Sequence, residues 1–181
     1  MTGDDGISLL SGLDVLQPVE KPAPIADRNG IVAADDLHIY LKESVLRDVV
    51  EWSRSDLERE LGGVFVGDVY SADGRPYVEV AGYIRARRYE HTAASFRFTH
   101  DTWSGISRER DRAFGGRVVV GWHHTHPGYG VFLSGIDAFS HRSFFNLPWM
   151  FAMVVDPRRE ELGFFQWKGG RIAPCGFFFL R

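Results

Sequence analysis

Val118-Val-Val-Gly-Trp-His-His-Thr-His-Pro-Gly-Tyr-Gly-Val-Phe-Leu-Ser-Gly-Ile-Asp137 is the stretch around which the rest of the chain is arranged. Val118 to Val120 are β-branched and apolar, which predicts a buried strand running on through Gly121 and Trp122 into the histidines. Strand side chains alternate between faces, so His124 and His126 point the same way and can grip one ion. Pro127, Gly128 and Gly130 then break the strand into a tight loop. Ser134-Gly-Ile-Asp137 reads as a helix start, with Ser134 as N-cap and Asp137 at the third helical position. The turn brings Asp137 back toward the histidines. Two neutral imidazoles and one carboxylate make a three-ligand set for Zn²⁺ that leaves the fourth tetrahedral position to water, as in hydrolytic sites; a structural zinc takes four protein ligands.

Either half of this pattern is ordinary alone. Ser-x-x-Asp is usually a helix cap, and an isolated His-x-His is usually a surface or core pair. Their combination at this spacing is specific. His124-Thr125-His126-Pro127 with Ser134-x-x-Asp137 resembles the signature of the JAMM metalloproteases, also called MPN-plus or JAB-domain proteins, whose best known members remove ubiquitin or its relatives from proteins. Gly121-Trp122, Pro127-Gly128-Tyr129-Gly130 and Leu133-Ser134-Gly135-Ile136-Asp137 are especially similar to the deubiquitinating subunits of the proteasome lid and the signalosome. The family also carries an upstream glutamate in a Glu-x-x-Gly-x-x-x-Gly setting, which Glu60-Leu-Gly-Gly63-Val-Phe-Val-Gly67 matches. The resemblance spans about residues 37 to 180.

Composition sets the outer limits. A length of 181 residues that are 44% hydrophobic suits a single globular domain with a sizeable core. A formal net charge of -3 provides no general attraction to nucleic acid or to an anionic membrane, so partners must be recognised locally. Cys175, with no second cysteine to pair with, reads as a small buried hydrophobe. No apolar run reaches membrane-spanning length and the N-terminus carries acids where a signal peptide carries positive charge, which predicts a soluble, cytoplasmic protein.

Residues 1–36 carry Gly, Pro and Asp throughout without sustained periodicity, and read as a flexible leader whose apolar patch, Ile7 to Leu16, could dock on the domain or a partner. The domain proper, 37–181, opens with an alternating strand, Leu37 to Leu41, and a helix from about Glu43 to Arg54 striped by Val45, Leu46, Val49, Val50 and Ser53. A short buried strand covers Gly62 to Gly67, and Asp73-Gly74 marks the turn of a hairpin returning through Tyr77 to Ile84. Arg85, Arg87 and Arg88 follow as a basic cluster at a strand edge. A strand over Ser95 to Thr99 leads to a helix from His100 to Phe114, ended by Gly115-Gly116. After the metal stretch, a helix carrying Asp137 stops before Pro148, Trp149 to Val155 forms a buried strand, and Leu162 to Trp167 and Ile172 to Leu180 flank a Gly169-Gly170 turn. The expected fold class is α/β: a mixed, curved β-sheet flanked by about three helices, the architecture the resemblance implies.

His123 faces away from His124 on a regular strand and so reads as a packing or surface residue. Ser134 lacks a nucleophile-elbow setting, which argues against a serine hydrolase. The resemblance implies that His124, His126 and Asp137 hold Zn²⁺, that Glu60 takes the proton of the attacking water and returns it to the departing amine, and that Ser134 donates a hydrogen bond to the oxyanion. It implies an isopeptide or peptide bond following the tail of a ubiquitin-like protein as substrate. The short segment between Asp137 and the last strands is similar to stand-alone prokaryotic-type members. An amidase on a small peptide would keep every one of these residues and differ only in its substrate groove, whereas the intact five-residue set argues against the other alternative, a non-catalytic MPN scaffold that binds partners without metal.

Overall fold

A computed structural model describes residues 18–87, 90–92 and 95–181, of which 90–92 and 95–97 are described by their backbone alone. Its strands are β1 (Val19–Glu20), β2 (Ala26–Asn29), β3 (His38–Leu41), β4 (Gly62–Ala72), β5 (Arg75–Arg85), β6 (Glu90–Thr92), β7 (Ser95–Arg97), β8 (Val118–Thr125), β9 (Phe151–Asp156), β10 (Glu161–Lys168), β11 (Arg171–Cys175) and β12 (Phe177–Leu180). Three helices accompany them among the described residues: α1 (Glu43–Ser53), α2 (His100–Phe114) and α3 (Gly135–Phe144). All strands but β6 and β7, which pair with each other, join one mixed sheet in the order β11-β10-β9-β8-β4-β5-β3-β12-β2, with β1 alongside β4. The α/β class and the three helices agree with the sequence reading.

The centre of the sheet is where the apolar runs fall. Val64, Phe65, Val66, Val120, Phe151, Ala152, Met153 and Val154 are each fully buried, so β4, β8 and β9 are covered on both faces. Helix α1 turns Val45 and Val49 toward this core, and α2 contributes Ile106. The register of β4 shifts against β8 at Phe65/Val66 and against β5 at Val66/Gly67. Such irregularities bend and twist a strand, which gives the sheet its curvature. Gly67 sits at the second of them, where an added Cβ would lie 2.2 Å from the carbonyl oxygen of Glu79. Only glycine permits that approach.

Two expectations need correction. Residues 18–36 do not behave as a leader: β1 pairs in parallel with β4, and β2 pairs antiparallel with β12 to form the outer edge of the sheet. The side chains of β2, Ala-Asp-Arg-Asn, are mostly exposed, so pairing through the backbone leaves no apolar alternation to read. Residues 1–17, with the apolar patch Ile7 to Leu16, lie outside the described residues, as does Arg88. The predicted strand Ile172 to Leu180 is two strands broken at Gly176, where a Cβ would meet the carbonyl of Asn29 at 2.6 Å and Val32 at 2.7 Å. No helix among the described residues is long and apolar enough to cross a membrane.

Candidate metal centre

Strand β8 is hydrogen-bonded between β4 and β9, with His124 opposite Gly62 on one side and Val154 on the other. This fixes the backbone of His124 in the sheet interior, while His126, one residue past the end of β8, donates its N–H to the carbonyl of Val155 at 2.8 Å, and the alternation puts both rings on one face. His124 is fully buried and His126 nearly so. Their Nε2 atoms are 3.0 Å apart. The N-cap of α3 supplies the third group. Ser134 Oγ accepts the amide N–H of Asp137 at 3.2 Å, while the Asp137 carboxylate accepts the N–H of Ser134 at 2.7 Å. This reciprocal cap leaves Oδ1 of Asp137 3.3 Å from Nε2 of His124, and Oδ2 3.4 Å from Nε2 of His126. The predicted ligand set is thus brought together, with one ligand atom from each of His124, His126 and Asp137 inside a 4.8 Å span.

The spacing and chemistry of the donors fit zinc. Ligands at about 2.0–2.1 Å in a tetrahedron stand about 3.3 Å from one another, close to the separations found here. Burial pushes the pKa of His124 down in spite of the neighbouring Asp137, favouring the neutral ring that a metal needs. At His126 burial is outweighed by the carboxylates of Asp137 and Glu60, and the pKa rises. Asp137 is itself buried, yet the two imidazoles and Ser134 hold its carboxyl well below the usual carboxylate range. The far nitrogens are treated differently. Nδ1 of His126 lies 3.2 Å from the carbonyl oxygen of Gly130, so it carries the proton and leaves the Nε2 lone pair for the ion. Nδ1 of His124 finds no hydrogen-bond partner among the described residues. That ring is held by stacking: Trp122 lies parallel to it at 4.6 Å between centroids. Trp122 in turn donates its indole N–H to Nδ1 of the buried His141 at 2.9 Å.

Glu60 approaches the cluster at His126. It is buried, lies two residues before the start of β4, and places Oε1 3.9 Å from Nε2 of His126. The crossing of β4 and β8 is pinned by Thr125, whose hydroxyl accepts the N–H of Leu61 at 2.8 Å and whose own N–H donates to the Leu61 carbonyl at 2.9 Å. Thr125 points away from the two ligands, so this anchor sits behind the site. His123, on the same side as Thr125, is a packing residue. Ser53 Oγ donates to the carbonyl of Val49 at 2.8 Å, so His123 Nε2 donates to Ser53 Oγ at 3.0 Å, while its Nδ1 accepts from the Tyr83 hydroxyl at 2.9 Å. Asp156 was legible in the sequence only as the end of a strand before Pro157. It proves to be a fully buried carboxylate against the loop that follows His126.

Known proteins are similar to this chain in sequence and in fold. The chain matches the family described as JAB1/Mov34/MPN/PAD-1 ubiquitin protease over residues 35–147. It is 30% identical to the 26S proteasome regulatory subunit RPN11 of Eremothecium gossypii over 127 residues, which are 69% of this chain and 40% of that protein. It is 50% identical to COP9 signalosome complex subunit 5 of the same organism over 48 residues, 25% of this chain and 11% of that protein. The chain therefore spans well under half the length of these relatives. A protein of Desulfitobacterium hafniense solved in solution shares the fold with a TM-score of 0.59 and 17% identity, over 78% of this chain and 92% of that one. With the family match covering more than half of the chain, the chain belongs to the JAB1/Mov34/MPN/PAD-1 family, the family that the JAMM resemblance of its sequence implied.

Proposed function

We propose that the chain is a zinc-dependent hydrolase that cleaves the isopeptide or peptide bond after the C-terminal tail of a ubiquitin-like protein. The observation that carries this reading is the buried Glu60 carboxylate 3.9 Å from the Nε2 atom of His126, beside a convergent ligand set that a purely structural metal would not leave three-coordinate. His124, His126 and Asp137 would hold the zinc, which would supply Lewis acidity and make water a nucleophile near neutral pH.

The remaining chemistry belongs to the chain. Glu60 takes a proton from the attacking water as the new carbon–oxygen bond forms, and delivers it to the amine nitrogen as the carbon–nitrogen bond breaks, leaving a carboxylic acid and a free amine. Ser134 Oγ uses a lone pair to cap α3, so its hydroxyl hydrogen remains available to the oxyanion of the tetrahedral intermediate. Asp137, strongly held in its ionised form, offers charge to the metal and no proton to the reaction. The family description supports a ubiquitin-type substrate. An extended tail lying beside a sheet edge, with small residues at the scissile bond, is the form of substrate that this reading expects.

The test is metal analysis combined with a substrate panel. Protein purified without added metal should hold close to one zinc per chain, and His126→Ala should lose it. A folded ubiquitin-like fusion ending in Gly-Gly should be cleaved faster than one ending in Leu-Leu or than a short Gly-Gly peptide. Equal turnover of the bare peptide would make the chain a small-peptide amidase instead. Bound zinc without turnover of any substrate would make it a scaffold or a partner-dependent enzyme.

A further inference from the structure

The turn between β9 and β10 contributes neither ligand nor proton carrier, yet the metal half of the site is built against it. Asp156, the last residue of β9, is completely buried. Its Oδ1 accepts the backbone N–H of Gly128 at 2.8 Å, of Arg158 at 3.0 Å and of Arg159 at 3.1 Å, and its Oδ2 accepts that of Gly130 at 2.7 Å. Burying a carboxylate is costly unless it is hydrogen-bonded. Here four N–H groups outweigh burial and keep its pKa below the ordinary value. Gly128 and Gly130 have φ of 86° and 89°, the left-handed conformation that turns both amides toward one anion.

This anchorage fixes more than a turn. Gly130, whose N–H is held by Asp156, presents its carbonyl to Nδ1 of His126 at 3.2 Å. The N–H of His126 donates to the carbonyl of Val155, the neighbour of Asp156, at 2.8 Å. The loop is thus tied to the end of β9 at both ends, and one of those ties ends on the ring of a metal ligand. We infer that Asp156 is a positioning residue for His126: by holding the Gly130 carbonyl in place it sets the tautomer and orientation in which Nε2 meets the ion. The inference rests on the zinc site proposed above. A residue that merely closes the β9–β10 turn would make the same bonds to Arg158 and Arg159 without any consequence for the metal.

Asp156→Asn replaces an acceptor oxygen by an NH₂ group facing backbone donors. Asp36→Asn serves as control, since Asp36 also pins buried structure, accepting from Gln166 at 2.6 Å and from Ala33 at 2.7 Å, away from the site. Zinc affinity by competition with a chromophoric chelator, the d–d spectrum of the Co²⁺-substituted protein and thermal unfolding of the metal-free protein are measured on the full chain. Loss of a group that orients a ligand typically weakens metal binding about 10-fold to 100-fold, and that loss with an altered Co²⁺ spectrum is expected for Asp156→Asn. Asp36→Asn should lower stability alone. If Asp156→Asn fails to fold, Gly130→Ala, strained at its positive φ, should show the same two changes. A variant of either kind that folds with unchanged zinc affinity and Co²⁺ spectrum overturns the positioning role while leaving the proposed function standing. Wild-type protein that binds no zinc overturns both.

Discussion

Glu60 and His141 show how differently two buried ionisable side chains can serve one site. Glu60 touches the ligand cluster without belonging to it, so Glu60→Gln keeps the volume and removes the basicity. Hydrolysis by that variant should fall about 100-fold to 10,000-fold with zinc content unchanged. Rates within a few-fold of wild type would take the proton-transfer role away from Glu60. His141 works from behind, accepting from Trp122 on Nδ1 and stacking on Trp167 at 5.0 Å between centroids. An indole N–H only donates, so Nδ1 must stay unprotonated. Burial, with a smaller effect of the Arg142 charge, pushes the ring's pKa down to about 4 from its ordinary 6.5. Between those values the unfolded chain binds more protons than the folded one, so stability from this group is complete above about pH 6.5 and declines as pH falls toward 4. The full loss is on the order of 3 kcal/mol. In the metal-free protein, His141→Gln should therefore narrow the difference between urea unfolding at pH 7 and at pH 5. An unaltered difference would mean that His141 is not the group titrating. Burial also lowers the pKa of His123 and acts in the same direction in both proteins.

Elements decide which of these residues meet. The path of β8 and the start of α3 are legible in the sequence because β-branched residues, alternation and a reciprocal cap each leave a local signature. Asp73 and Gly74, with φ of 51° and 73°, likewise form the two-residue turn that their identities announce. What is not legible is how far β4 and β5 extend around that turn. The register shift at Val66/Gly67 changes the side-chain phase, and beyond it the strand reads as a connection. The support from the β9–β10 turn is equally hidden, because its partners are backbone groups distant in sequence. Besides the Asp156 contacts, Arg158 Nε donates to the carbonyl of Leu57 at 2.9 Å, tying that turn to the segment that leads into Glu60. Ser134 joins two scales, being at once the cap of α3 and the proposed oxyanion donor. Losing the cap should cost about 1 kcal/mol, whereas losing an oxyanion donor typically costs about 100-fold to 1,000-fold in kcat. Ser134→Ala should show both effects in thermal unfolding and turnover. A small stability loss with turnover preserved would leave Ser134 a cap only.

For the whole molecule, the open question is where the cooperative unit starts. Domain architecture read from apolar periodicity puts that start near residue 37, but the sheet contains chain from before it. Lys21 pairs with Glu79 at 2.7 Å and lies 4.2 Å from the ring centroid of Tyr70. Tyr40, Tyr77 and Phe178 form a second buried cluster, against which Ala26 and Val32 pack. Asp36 ties the segment to β10, accepting from Gln166 at 2.6 Å and from Lys168 at 2.9 Å. The ion pair is partly exposed and contributes little; the weight falls on the apolar cover and on the backbone pairing of β2 with β12. Removing residues 18–36 would bare the edge of β12 and one side of the aromatic cluster. Each large apolar side chain returned to water costs about 1.5–3 kcal/mol, a large share of the roughly 5–15 kcal/mol that holds a domain together. A chain beginning at residue 37 should therefore unfold at lower urea than one beginning at residue 18, and should aggregate through its bared β12 edge. The metal centre lies on β8 and α3, several strands from that edge, so zinc bound per folded molecule should be the same in both chains. Equal urea midpoints would return residues 18–36 to the status of a leader.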